Sequence, residues 1–250
     1  MDTNETKIKI TSAEVHQAFQ SVLAPGDDVL IHAALGNLGH FEDGIEALIH
    51  SLCQSVTAAG TVVMMADTRS FAKTGTFSLD QPSETGLITE RFRQMEGVSR
   101  SCVPMVSFLA WGARREEYTQ SYHSHLDGTA TITRLLENDG KIMLLGIGYE
   151  KCTLYHLAEE RHNVPYNFYK EFKGVLRREG QPDEPISQRY YVREDMSVKK
   201  NPAVAGHMLE ARGLAQVVPL GNEYVRVFRA RDFDRCCMEA LEKDPKAFLA

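Results

Sequence analysis

Asp28-Val-Leu-Ile-His-Ala-Ala-Leu35 and Thr61-Val-Val-Met-Met65 are two apolar runs of strand length, the second preceded by Gly60. Residues 45–56 between them place apolar side chains at helical spacing. Strand, helix and strand in that order predict a crossover unit with buried parallel strands, because parallel neighbours need a connection of this length.

Upstream, Thr11-Ser-Ala-Glu14 has capping-box spacing and opens a helical pattern through Val15, Phe19 and Val22 that Pro25-Gly26 stops. Downstream, residues 68–86 lack periodicity over a length unusual for a connection, which suggests a binding loop. Helical spacing returns at 87–95, a strand pattern at 103–111, a short helix at 130–136, a strand at 141–145, and a helix over 152–161 entered through Gly146-Ile-Gly148. Beyond Val164-Pro165, residues 168–176 and 186–192 read as a hairpin. A helix at 203–211, strands at 215–218 and 224–228, and a last helix from Asp232 complete the pattern. The expectation is an α/β fold over residues 1–250 as a single domain, with a central mixed sheet flanked by helices and an antiparallel C-terminal addition.

Composition narrows the function. A net charge of -6 speaks against nucleic acid as the main partner, since phosphate binding needs a positive footprint. No stretch approaches the roughly 18 consecutive apolar residues of a membrane span, so no membrane partner is expected. Met1-Asp-Thr-Asn-Glu-Thr-Lys7 lacks the basic end and apolar middle of a signal peptide, which points to the cytoplasm. Cys53, Cys102, Cys152, Cys236 and Cys237 form no CxxC pair and no metal-ligand spacing, so reduced thiols and no metal are expected. The Cys236-Cys237 pair, the Tyr190-Tyr191 pair and His123-Ser124-His125 read as structural. A homo-oligomer is compatible with all of this.

The chemistry concentrates after the 141–145 strand. Gly146-Ile-Gly148 follows it, at the end of the sheet where α/β folds bind ligands. It is no dinucleotide fingerprint, because Lys151 stands where a third glycine would. Thr153, His156 and Glu159 recur every three residues and form a stepped row on a helix. A carboxylate on one imidazole nitrogen fixes the tautomer and leaves the other nitrogen to accept a proton, which is general-base chemistry. Glu160, four residues on, has an equal claim by spacing to be that carboxylate.

Gly146-Ile-Gly-Tyr-Glu-Lys-Cys-Thr-Leu-Tyr-His156-Leu-Ala-Glu159 resembles the signature of the aminoglycoside 3-N-acetyltransferase family. The resemblance runs in order over about residues 28–175, through Ile31-His32, Phe77-Ser-Leu-Asp80, Pro82-Ser83, Gly86-Leu-Ile-Thr-Glu90 and Ser99-Arg-Ser101. It implies direct acetyl transfer from acetyl-CoA, as co-substrate, to an amine of a small molecule, with an aminoglycoside 3-amino group as one such amine. His156 would be the base, Glu159 its orienting partner and Thr153 a donor to the thioester carbonyl. His32, Ala33, Ala34, Leu35 and Gly36, with Arg100, Ser101, Val103 and Ser107, would contact the coenzyme. Apart from the resemblance, Asp67, Glu84 and Asp127 sit in loop segments that could supply carboxylates to a cationic acceptor, and Tyr149 is a further acceptor candidate.

Two departures stand out. Ala33 and Ala34 replace two serines that commonly follow the histidine of the first strand, so two hydroxyl donors are missing. In Arg100-Ser-Cys-Val103-Pro104-Met-Val-Ser107, valine replaces a histidine of the family's second motif. These changes motivate the alternatives, a non-catalytic ligand-binding descendant or an acyl-CoA hydrolase in which the His-Glu pair activates water.

Overall fold

The computed structural model describes residues 8–124 and 126–250. The polar start over residues 1–7 and His125 lie outside the described residues.

The strand Asp28–Ala33 is the centre of a seven-stranded sheet. It pairs in parallel with Thr61–Thr68 on one side and Lys141–Leu145 on the other. Outside Thr61–Thr68 run Met105–Gly112 and then Ser99–Arg100, both antiparallel to their neighbours. Outside Lys141–Leu145 run Glu223–Arg229 and Ala215–Leu220, again antiparallel. The sheet is therefore mixed, with its parallel strands innermost.

Side chains that alternate along these strands enter two separate cores. Leu30, Val63, Phe108, Ile142 and Leu144 face the helices Thr131–Glu137, Tyr155–His162, Ala203–Ala211 and Ala230–Lys243. Val29, Ile31, Val62, Met64 and Leu145 face Ser12–Gln20, Gly44–Val56 and Leu87–Arg93. Burial on both faces explains why the inner strands read as unbroken apolar runs. Each such side chain contributes about 1.5–3 kcal/mol on burial.

The capping box forms as expected, with Thr11 accepting from the Glu14 amide and Glu14 accepting from the Thr11 amide. The hairpin forms too, as Asn167–Leu176 against Glu184–Arg193. Residues 68–86 differ from an unstructured loop. They hold a turn of helix at Phe71–Thr74 and a strand, Thr76–Phe77, that pairs with Asn167–Leu176 to make a three-stranded sheet. The hairpin edge supplies hydrogen-bond partners that no local pattern announces. Tyr155–His162 also starts later than expected, because Tyr149–Lys151 forms a separate turn of 3-10 helix. Thr153 therefore precedes the helix rather than riding on it.

No helix among the described residues is long and apolar enough to cross a membrane. The five cysteines are unpaired, and Cys236 and Cys237 are buried in the last helix.

Candidate functional site

The carboxyl ends of the inner strands open into a cleft of about 810 Å³. One wall is the turn after the first strand, Ala33, Ala34, Leu35 and Gly36, and another is Ile147 with Lys151. Gly146 fixes how these walls meet. Its φ is +70°, and a Cβ there would lie 2.8 Å from Leu38 and 2.9 Å from the Ala34 carbonyl oxygen. Only glycine permits that conformation and that approach together. The Asn37 amide then donates to the Gly146 carbonyl at 2.9 Å and ties the two turns.

A second cavity, of about 40 Å³, adjoins it. Asp67, His156 and Tyr190 line it, and it shares Met65, Arg69 and Thr153 with the cleft. The two spaces thus meet at Thr153. Its hydroxyl lies 3.4 Å from His32 Nε2, the one side-chain contact the structure gives it among the described residues. The His156 amide donates to the Thr153 carbonyl at 3.1 Å, but among the described residues the Thr153 hydroxyl makes no hydrogen bond to the His156 ring, so the side chains of Thr153, His156 and Glu159 are not a connected row. Burial pushes the His32 imidazole down to about 4, so it is neutral and serves as a polar wall.

His156 and Glu159 are in contact, with Nδ1 to Oε2 at 3.1 Å. Glu159 is fully buried and accepts on both oxygens. Tyr166 Oη donates to Oε1 at 3.0 Å, while Asn167 Nδ2 at 3.3 Å and Lys200 Nζ at 2.6 Å donate to Oε2 beside the imidazole. Burial alone would raise the carboxyl, but the hydrogen bond from His156 and the charges of His156 and Lys200 outweigh it and hold it below its ordinary value. An ionised Glu159 accepts from Nδ1–H and leaves Nε2 as the free acceptor. Burial also lowers the His156 pKa, opposed by the hydrogen bond and charge of Glu159. Glu160 is not the partner. It turns away to accept from Ser124 Oγ at 2.5 Å.

Other predicted positions fall elsewhere. Arg100 donates to Ser107 Oγ at 2.9 Å and to the Leu79 and Gln81 carbonyls inside the fold. Ser107 in turn donates to the Ala66 carbonyl, and Ser101 accepts from the Phe108 amide. Val103 is fully buried in the core. None of these four lines the cleft. Tyr149 packs against Phe228 and Phe233, and a Cβ on Gly206 would lie 2.0 Å from its ring, so it is buried away from both cavities. Asp127 caps a turn by accepting from the His123 and Ser124 amides, beside a separate open groove. Glu84 caps the Ser70 amide on the loop near Asp67. Of the acceptor candidates, Asp67 alone lines the small cavity.

Sequence reasoning missed several residues that the structure brings to the site or its support. Tyr190 and Tyr191 occupy opposite faces of a strand: Tyr191 donates to the Val164 carbonyl, whereas Tyr190 faces the small cavity. Arg69, two residues past Asp67, donates from Nε to Asp67 Oδ2 at 2.7 Å and borders both spaces. Tyr166 and Lys200 act on Glu159 across 7 and 41 positions. Among the described residues no cluster of His, Cys, Asp or Glu is placed to hold a metal.

A sequence profile of the aminoglycoside 3-N-acetyltransferase family matches residues 30–242. The chain belongs to this family. By that membership it is an acetyl-CoA-dependent N-acetyltransferase. It is 27% identical over 236 residues to aminoglycoside N(3)-acetyltransferase IV of Salmonella sp, covering 91% of this chain and 85% of the relative. It is 26% identical over 218 residues to the SPbeta prophage-derived aminoglycoside N(3')-acetyltransferase-like protein YokD of Bacillus subtilis (strain 168), covering 71% and 79%. Among solved structures, the aminoglycoside acetyltransferase AAC(3)-IVa apoenzyme superposes with a TM-score of 0.81 at 24% identity, covering 98% of this chain and 93% of that one. AAC-IIIb, solved as a binary complex with CoASH, superposes with a TM-score of 0.82 at 21% identity, covering 94% and 97%. The mixed sheet and its flanking helices are thus the family's fold.

Proposed function

We propose that this protein, as one domain in the cytoplasm, transfers the acetyl group of acetyl-CoA directly to a small-molecule amine, with His156 as general base. The observation that carries the reading is the junction of two cavities at Thr153, with His156 on the far side. The large cleft suits the coenzyme. Among the described residues that line it there is no carboxylate, whereas Arg69 and Lys151 offer positive charge to phosphates. The small cavity has room for the reacting amino group only, and Asp67 is buried there with Oδ1 lacking a hydrogen-bond partner.

In this reading the amine nitrogen attacks the thioester carbon while its proton passes to His156 Nε2. The Thr153 hydroxyl stabilises the charge that develops on the carbonyl oxygen. The carbon–sulfur bond then breaks, and the departing CoA thiolate takes the proton back from the imidazolium. Glu159 holds the imidazole in the tautomer that makes this possible. The names of the relatives supply the first acceptor to test, the 3-amino group of aminoglycosides.

The missing serine hydroxyls do not argue for an inactive descendant. Ala33 and Ala34 still line the cleft, and the Ala34 amide is already bonded to the Leu145 carbonyl. The test is release of free CoA thiol from acetyl-CoA, with and without aminoglycosides and simpler amines. Amine-dependent release supports transfer, amine-independent release supports hydrolysis, and no release with no CoA binding removes the reading.

A further inference from the structure

Lys200 is remote in sequence from His156, yet its side chain is only 5% exposed and its Nζ lies 2.6 Å from Glu159 Oε2. It also donates to Asn167 Oδ1 at 3.0 Å, and the rings of Tyr166 and Tyr155 flank it at 5.2 and 5.8 Å. Its backbone is held as firmly. Lys200 bridges Leu249, the Asn201 amide donates to the Phe248 carbonyl at 2.8 Å, and Phe248 is buried edge-on against Tyr155. A buried ammonium is costly to desolvate, and this one is fixed on a single carboxylate oxygen.

That oxygen is the one His156 uses. A protonated His156 would put a second positive charge on an anion that already has one. We propose that Lys200 is a positioning residue that keeps His156 neutral and ready to accept a proton, by sharing Glu159 Oε2 with it. The inference rests on the reading of His156 as the base.

The other charged groups around His156 do not replace this effect. On its own helix it faces Glu159 and the Tyr155 ring, while Glu160 is turned to Ser124. From the strand Thr61–Thr68 comes Asp67, itself paired with Arg69, and from the hairpin come Tyr190 and Arg193. Asp67 favours the imidazolium; Arg193 and Lys200 oppose it. Among these charged groups Lys200 is the one that bonds the carboxylate oxygen that His156 touches.

The sign follows directly. Without the Lys200 charge, Glu159 is an uncompensated anion, so the imidazolium is favoured and the His156 pKa rises. Lys200→Gln keeps hydrogen-bond donation without charge, Lys200→Met removes both, and Lys200→Arg keeps the charge. The acid limb of the kcat/KM profile for amine acetylation should move up by roughly one pH unit in Lys200→Gln and Lys200→Met, and stay in place in Lys200→Arg. NMR titration of the His156 imidazole, assigned by its absence in His156→Ala, should show the same shift without reference to turnover. Should Lys200→Met fail to fold, Lys200→Gln carries the comparison. A uniform loss of activity at every pH with an unmoved limb and an unmoved imidazole titration would overturn the proposal, as would an equal shift in Lys200→Arg. Full activity of His156→Ala would instead remove the base reading, while the imidazole titration would still decide whether Lys200 sets its pKa.

Discussion

The cleft of about 810 Å³ and the cavity of about 40 Å³ meet at Met65, Arg69 and Thr153, yet they are assembled from different material. The cleft is walled by small and apolar residues from turns, such as Ala33, Ala34, Gly36 and Ile147. The cavity concentrates Asp67, His156 and Tyr190, and behind His156 stands the buried Glu159 with its four donors. A wall of small side chains binds by shape and backbone and tolerates substitution. A set of ionisable groups in a confined space depends on every member, because each lost partner leaves a buried charge or polar atom unpaired.

That contrast sets a scale of effects. Glu159→Gln should be the most severe short of removing the base. It misdirects the imidazole tautomer and strands the Lys200 ammonium, so kcat should fall by about 10³- to 10⁴-fold. Stability should fall by about 3–5 kcal/mol, read by denaturant unfolding. Thr153→Val retains shape and removes the hydroxyl at the junction. Steady-state assays should show kcat lower by about 100-fold with the KM for acetyl-CoA little changed. A loss confined to KM would move Thr153 from the chemistry to the cleft.

On the cleft side, Ala34→Phe should overfill the wall, at a cost of about 1–3 kcal/mol, and raise the KM for acetyl-CoA by tenfold or more with kcat nearly intact. His32 marks the border. Its folded pKa is about 4, below the ordinary 6.5, so between these values the unfolded chain binds the extra proton. Its contribution to stability is present above pH 6.5 and is lost as pH falls toward 4, at about 1.4 kcal/mol per pH unit. Unfolding followed over that range should show a shallower pH dependence in His32→Gln than in the wild type. The smallest effect belongs to Ala34→Ser, which adds a hydroxyl to the cleft wall. A change in the KM for acetyl-CoA of roughly fivefold or less is expected, since one added hydrogen bond is worth about 1 kcal/mol.

The same contrast explains what could be read from the chain. The inner strands and the helix over 44–56 were legible because burial on both faces writes itself as apolar runs and helical spacing. The cleft walls were legible because they are short turns at strand ends. His156 and Glu159 were legible as neighbours on a helix, but spacing could not prefer Glu159 over Glu160; that choice is made by Ser124, 36 positions away from Glu160. Thr153 was placed on the helix because nothing in Gly148 to Cys152 signals the intervening 3-10 turn. The resemblance implied coenzyme contacts for Arg100, Ser101 and Ser107; no local pattern showed that their side chains would bond the backbone and one another, as they do in the structure. Lys200 had no signal at all, because its role arises only when the segment after the hairpin folds back over Glu159.

The most direct test of the account is thiol release from acetyl-CoA by the wild type and by His156→Ala in the presence of an aminoglycoside or simpler amine, with binding of CoA checked in both. The account predicts amine-dependent release by the wild type and a loss of about 10⁴-fold or more in the variant with CoA binding retained. Equal amine-dependent release by a folded His156→Ala would contradict it.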